Sequence, residues 1–317
     1  MPTLLRAKKS NWLRRKAKSQ RKPARWRALL GRENWNFLLT NRIPRRLATR
    51  IMGGVSKIPT GPFTGVTIAL WRIFSRDLDL SDSKKRRFRS LHDCFVRELR
   101  PGARPIDQDP DVLVSPCDAI VGSHGKVEGT TVFQAKGFPY RLEDLLGDTE
   151  LVERYRDGTY VTLRLKASFY HRFHAPCDAA VQRVVYISGD TWNVNPIALR
   201  RVEALFTKNE RAVVELQPDG SDGRIALVAV AAILVASVRL HCLGPKWNLR
   251  KKGADPIHVD AHYQRGDELG WFQHGSTIVM FAQKGHELCP HVREGSLVRM
   301  GQRLLLRPET RPPQREN

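Results

Sequence analysis

Hydrophobic and polar positions follow two different rhythms along this 317-residue chain. In the first third, apolar residues recur at helical spacing. On a wheel of ~100° per residue, Arg42 to Met52 places Ile43, Pro44, Leu47, Ala48, Ile51 and Met52 on one half, with Arg42, Arg45, Arg46, Thr49 and Arg50 on the other. That pattern fits a surface helix packed on a core, and equally an interfacial helix whose arginines meet lipid headgroups while its apolar face sinks into the acyl boundary. An apolar stretch, Val66 to Phe74, follows. A second helix is predicted after the capping cluster Ser81-Asp82-Ser83; its stripe is Phe88, Leu91, Phe95 and Leu99, and Pro101-Gly102 ends it.

After Pro105 the rhythm changes. Short runs rich in β-branched and aromatic residues alternate with Gly, Pro and Asp: Thr159–Leu165, Ala180–Ile187, Ala212–Leu216, Ile225–Val238 and Thr277–Phe281. Most are too short for helices and read as strands. No repeat at solenoid spacing is visible. The Ile225–Val238 run has 14 residues, fewer than the ~20 a spanning helix needs, so no transmembrane segment is expected. Nor does the N-terminus carry a signal peptide's apolar stretch.

Charge adds a partner to this picture. The chain holds 54 Lys and Arg against 32 Asp and Glu, a net +22, of which residues 1–50 supply +15 with Glu33 their one acid. A basic arm implies an anionic partner, nucleic acid or an acidic membrane surface. A nucleic-acid binder would interleave cations and stacking aromatics on its folded body. Here the charge sits in the arm, and Trp26, Trp35 and Phe37 beside it suit a membrane interface. Charge alone does not choose between an anionic membrane lipid and nucleic acid. The arm's Arg-rich, acid-poor composition also fits an organellar transit peptide. Five scattered cysteines, Cys94, Cys117, Cys177, Cys242 and Cys289, form no C-x-x-C pair, which points to reduced thiols in a cytosolic setting. His258 and His262 have the i,i+4 spacing of helical metal ligands, but Pro256 and the β-branched residues around them argue against a helix, and no metal is expected.

Four segments carry candidate chemistry: Ser115-Pro116-Cys117-Asp118-Ala119, Tyr170-His171-Arg172-Phe173-His174-Ala175-Pro176, Asn193-Val194-Asn195-Pro196, and Gly270 through Thr277. Singly, each is an ordinary turn or loop. Together they supply an acid, Asp118, a base, His174 or His171, and a hydroxyl, Ser276, and a serine becomes a nucleophile when a correctly charged histidine takes its proton. The G-x-S-x-G elbow of hydrolases is absent. Instead Gly275 directly precedes the serine, where a strained carbonyl geometry costs least.

This combination resembles the bacterial-type, pyruvoyl-dependent phosphatidylserine decarboxylases over roughly Asn41 to Leu306. Ser115-Pro116-Cys117-Asp118 is similar to that family's S-P-x-D segment, and Tyr170 through Pro176 to its Y-H-R-x-H-x-P. Asn193 through Pro196 is similar to its V-N-P turn, and Gly275-Ser276-Thr277 to its self-cleavage site. Arg97 through Ile106 is similar to the family's approach to its core. The chain departs from the pattern at His274, at Ala119 and in the Val-Ala-Ala and Val-Ala-Ser triplets of Val228 to Val238. These bear on pocket shape, and so on substrate choice; a soluble amino acid or another serine-headed lipid is the alternative substrate.

The resemblance implies that Asp118 orients His174, which deprotonates Ser276 for attack on the Gly275 carbonyl. The chain would then part into 1–275 and 276–317, with Ser276 becoming a covalent pyruvoyl group, the electron sink for carbon dioxide loss. His171 would assist decarboxylation as a general acid or base. It further implies an anionic membrane lipid, and not nucleic acid, as the partner of the basic front, phosphatidylserine as substrate, association of the two cleaved chains, a homodimer, and a peripheral place on the cytoplasmic side of the cytoplasmic membrane. The expected fold class is α+β: a basic arm over 1–40, a helical membrane-docking segment over 41–104, and a mostly antiparallel β-sheet catalytic body over 105–317.

Overall fold

A computed structural model describes residues 34, 37, 38, 44–59, 61, 63–75, 77–134, 138–232, 238–244, 256–273 and 276–308. Almost all of the basic arm, together with His274 and Gly275 of the expected cleavage site, therefore lies outside the described residues. The chain divides into two units, Met1–Arg42 and Ile43–Asn317, and every paired strand belongs to the second.

Three helices come first in that unit: α1 (Arg45–Val55), α2 (Phe63–Phe74) and α3 (Leu91–Phe95). Strands then dominate: β1 (Val112–Val114), β2 (Ala119–Lys126), β3 (Thr131–Phe133) and β4 (Pro139–Arg141). Helices α4 (Leu142–Leu146) and α5 (Thr149–Tyr155) lead to β5 (Thr159–Leu165), β6 (Arg172–His174) and β7 (Ala179–Ile187). Short α6 (Pro196–Leu199) and α7 (Leu205–Lys208) precede β8 (Arg211–Pro218), β9 (Ile225–Ala231) and β10 (Val238–Leu240). The chain closes with β11 (Ile257–Tyr263), β12 (Glu268–Phe272), β13 (Ser276–Ala282), β14 (Glu287–Leu288), β15 (Leu297–Val298) and β16 (Arg303–Leu306).

An eight-stranded antiparallel sheet, in the order β11-β7-β8-β9-β13-β5-β2-β15, forms the body. Two three-stranded sheets, β1-β16-β14 and β10-β12-β6, accompany it. The expected α+β class, with a mostly antiparallel body, holds. Central strands β9 and β13 are buried at every position, so they read as continuous apolar runs, as strands covered on both faces do. Edge strand β11, Ile-His-Val-Asp-Ala-His-Tyr, instead alternates in burial. His258 and His262 lie on this strand and not on a helix.

Two expectations need correction. The helix predicted beyond Ser81 shrinks to α3, capped by Ser90, whose hydroxyl accepts from the Asp93 N–H at 3.1 Å. Backbone pairing explains this: Ser83 bridges Leu99, and the Lys84 and Arg100 N–H groups donate to the Glu98 and Asp82 carbonyls. Those bonds tie the segment's two ends side by side, a spacing no continuous helix between them allows. The Ile225–Val238 run is also not one strand. β9 stops at Ala231, and β10 joins a different sheet through Phe272 and Trp271.

Glu215 on β8 is 3% exposed. Arg154 of α5 hydrogen-bonds it, and the Arg183 Nε of β7 lies 3.3 Å from it. Removing one partner of a buried ion cluster strands the others' charge. Glu215→Ala is accordingly expected to lower unfolding free energy by about 3–5 kcal/mol in a denaturant titration; a loss under about 1 kcal/mol would show that water already screens the cluster.

Candidate active site

The body's topology gathers three of the four candidate segments. β13 begins at Ser276, which pairs with Leu165 at the end of β5 and with Ala231 at the end of β9. From Leu165 the chain turns through Lys166–Phe169 into Tyr170, His171 and β6. β6 pairs with β12, and the Phe272 N–H donates to the His171 carbonyl at 3.0 Å. Only three residues separate Phe272 from Ser276. Ser276, His171 and His174 thus stand at one end of the two central strands. The Asp118 loop is stitched to the same place, because the His174 N–H donates to the Pro116 carbonyl at 2.8 Å.

Ser276 is fully buried, and its Oγ has no hydrogen-bond partner among the described residues. A buried unpaired hydroxyl costs free energy; Ser56, Ser83 and Thr277 carry others among the described residues, so what marks out Ser276 is its place at the ends of β5 and β9 beside the other candidate segments. Its side chain is a small hydroxyl with no competing donor or acceptor among the described residues, at the residue that would become the pyruvoyl group. In that respect the site fits the group.

His174 is 7% exposed, and both ring nitrogens are engaged. Nδ1 lies 2.8 Å from the Gly266 carbonyl and Nε2 3.0 Å from the Tyr170 hydroxyl. A carbonyl only accepts, so Nδ1 carries the proton and Nε2 accepts from the phenol. Burial pulls the imidazole below its ordinary value; the Gly266 carbonyl, Glu268 and, more weakly, Asp118 oppose this. The ring is therefore kept in the neutral form that a base requires. Burial drives the Tyr170 phenol far up, which keeps it a donor.

Asp118 does not hydrogen-bond His174. Its carboxylate takes Arg104 in a two-pronged pair, Nε to Oδ1 at 3.0 Å and Nη2 to Oδ2 at 2.7 Å, plus the Met300 N–H at 2.9 Å. Arg104 in turn reaches Asp82 at 2.8 Å. The planar fork of an arginine matches a carboxylate better than one ring N–H can, so Asp118 acts on His174 through its charge.

His171 is fully buried, and its ring stacks on Phe95 of α3, centroids 4.0 Å apart at 21°. Phe95 stacks in turn on Trp71 of α2 at 6.0 Å. Arg172, between the two histidines, fixes this arrangement. Its guanidinium donates to the Val96 and Arg97 carbonyls and to both Glu268 oxygens. Asn195, from the fourth segment, has a local task, its Oδ1 accepting from the Ala198 N–H as the cap of α6. Sequence reasoning missed Arg104, Tyr170 and Phe95 as functional positions. Arg104 and Tyr170 lie inside segments already singled out, whereas Phe95 carried only a core-stripe signal.

The phosphatidylserine decarboxylase family matches residues 91–306. The chain belongs to that family. A phosphatidylserine decarboxylase proenzyme of Methylibium petroleiphilum is 36% identical over 286 residues, covering 87% of this chain and 99% of the relative. Those of Vibrio parahaemolyticus (34% identical, 82% of this chain and 94% of the relative) and Brevibacillus brevis (33%, 84% and 95%) are similar over the same extent. Phosphatidylserine decarboxylases are carboxy-lyases, and decarboxylation is the activity that this membership supports. Among the described residues no cluster of three His, Cys, Asp or Glu side chains is placed to hold a metal.

The His174 environment makes a pH prediction. Since the folded pKa lies below the ordinary 6.5, the unfolded chain binds this proton more readily. Its contribution to stability is complete above about 6.5 and is lost as pH falls below it. The self-cleavage expected from the sequence, with His174 as its base and followed by gel densitometry, should likewise stay flat down to about pH 6.5 and decline only below. Tyr170→Phe removes the donor that favours neutral His174, so the acid limb should move to higher pH; an unmoved limb would remove His174 as the titrating base.

Proposed function

We propose that this protein is a self-processing, pyruvoyl-dependent decarboxylase that converts phosphatidylserine to phosphatidylethanolamine and carbon dioxide at a membrane surface. The observation that carries the reading is the buried Ser276 hydroxyl, without a hydrogen-bond partner among the described residues, at the head of the central strand, in a chain whose relatives are named proenzymes. Neutral His174 accepts the Ser276 proton, directly or through Tyr170. The Ser276 oxygen attacks the Gly275 carbonyl, and the amide nitrogen leaves as an amine, so an ester replaces the peptide bond. Loss of the Ser276 α-proton breaks the ester's Cβ–O bond and frees the Gly275 carboxylate. Tautomerisation and hydrolysis of the remaining enamine consume one water and release ammonia. The resulting pyruvoyl group supplies the electron sink for carbon dioxide loss. His171, held by Phe95, then delivers or holds the proton at the carbon that carbon dioxide leaves.

Membrane contact rests on the front helices. Of the ten exposed large hydrophobic side chains among the described residues, eight fall between Leu47 and Ile73. A soluble surface rarely gathers so many, and helices with one apolar face lie in the bilayer interface. No described helix is long and apolar enough to cross a membrane. A basic N-terminal segment facing an anionic leaflet adds ~1 kcal/mol per cation near the surface. We place the protein peripherally on the cytoplasmic side of the cytoplasmic membrane. The two chains should stay together after cleavage, because β13 runs between β9 and β5, β15 pairs with β2, and β16 with β1.

Intact mass under denaturing conditions should give two chains, the smaller holding residues 276–317 with a pyruvoyl-blocked N-terminus, and under native conditions one particle. A full-length chain that still decarboxylates would overturn the reading. Ser276→Ala should stay uncut and inactive. His171→Ala should cut normally yet release carbon dioxide about 10²–10⁴ times more slowly. Turnover of phosphatidylserine vesicles with none of free amino acids separates the lipid substrate from a soluble one.

A further inference from the structure

A groove of about 750 Å³ opens between α2 and the Asp79–Phe88 segment, and none of Asp118, His171, His174 or Ser276 lines it. Its floor is apolar, with Ile68, Leu80 and Phe88 half-buried. Four cations line it, Arg72, Lys85, Arg86 and Arg87, against one carboxylate, Asp79. Lys85 is paired with Asp93 at 3.1 Å, and Asp79 accepts from the Ser81 N–H at 2.8 Å. Arg72, Arg86 and Arg87 are exposed and make no ion pair among the described residues. Three unneutralised guanidinium groups around one apolar floor repel one another unless an anion sits between them.

α2 itself has three distinct sides at ~100° per residue. Trp71 packs toward Phe95, while Phe63, Val66, Leu70 and Ile73 form the exposed apolar row. Gly65, Ile68 and Arg72 line the groove, and no residue of the apolar row does. The groove is therefore separate from the apolar docking face and flanks it on the same helix.

We propose that this groove is a second lipid site, which takes the phosphodiester headgroup of an anionic phospholipid that is not turned over. Arginine suits phosphate through its planar fork, and the apolar floor suits the start of an acyl chain. The proposal rests on the membrane-surface reading for its source of lipid, and on the charge and lining of the groove for its chemistry.

Phosphatidylglycerol is the probe, since it has neither the amine nor the carboxylate of the substrate. Native mass spectrometry of the detergent-solubilised protein should find one phosphatidylglycerol retained per full particle, and no zwitterionic phosphatidylcholine. The combined variant Arg72→Gln, Arg86→Gln, Arg87→Gln should weaken that retention by about a hundredfold. Neutralising three exposed cations elsewhere, Lys208, Lys284 and Arg293, should leave it unchanged. No retention by the wild type, equal retention of phosphatidylcholine, an unaffected groove variant, or an equal loss in the control variant would each overturn the proposal. Displacement of the lipid by glycerol phosphate at equal concentration would assign the groove to a soluble phosphate and overturn the lipid assignment. Carbon dioxide release from detergent-dispersed phosphatidylserine, measured in parallel, tests the catalytic reading separately: its absence in the wild type sinks that reading and leaves the retention result standing.

Discussion

Strand β13 is hydrogen-bonded on both sides along all seven of its residues and is buried throughout. The rest of the molecule depends on that constraint. A strand so placed cannot slip by one residue without turning its whole side-chain set over, so Ser276 is held at a fixed height beside Leu165 and Ala231. The position is costly for a hydroxyl, which gains no hydrogen bond there among the described residues. For the self-cleavage proposed above the same position is favourable: the buried oxygen is kept from solvent and has no partner to give up among the described residues.

Around that point the molecule surrounds chemistry with charge that is already satisfied. Arg104 is shared between Asp82 and Asp118, and Arg172 between Glu268 and the Val96 and Arg97 carbonyls. These guanidinium groups are nearly buried, and their carboxylates offset what would otherwise be a large desolvation cost. They also join the helical front to the sheet. Arg172 clamps the end of α3, so Phe95 lies over His171, and Trp71 carries the stack back to α2. Helix α2 and the buried imidazole are therefore two ends of one packed aromatic row. The thiols take no part in this arrangement: burial pushes Cys94, Cys177 and Cys242 up to about 11, where a thiol is not a nucleophile at neutral pH.

Much of the fold was legible locally. Thr159–Leu165 matches β5 residue for residue, and the other strand runs fall within a few residues of β7, β8 and β13, because β-branched runs bounded by turn residues have few alternatives. The helix shortened to α3 and the run divided between β9 and β10 were not legible, since their limits come from partners distant in sequence: Leu99 for Ser83, and Phe272 for Val238. Within the site, Asp118, His171, His174 and Ser276 were all named from motifs. Arg104 as the true partner of Asp118, and Tyr170 and Gly266 as those of His174, were not.

By itself the sequence determined which chemical groups exist and in what order: an acid, two imidazoles, a hydroxyl after a glycine, and a basic front. It also carried, in its ordered motifs, the family resemblance that the match over residues 91–306 then showed to be membership. Only the tertiary structure decided who bonds to whom. A carboxylate will take whichever donor geometry brings nearest and best aligned, and a two-pronged guanidinium wins over a single ring N–H. The groove on α2 belongs to the same class of fact. Arg72 lies fourteen residues from Arg86 in sequence, and only the fold of the Asp79–Phe88 segment against the helix makes them lining residues of one site.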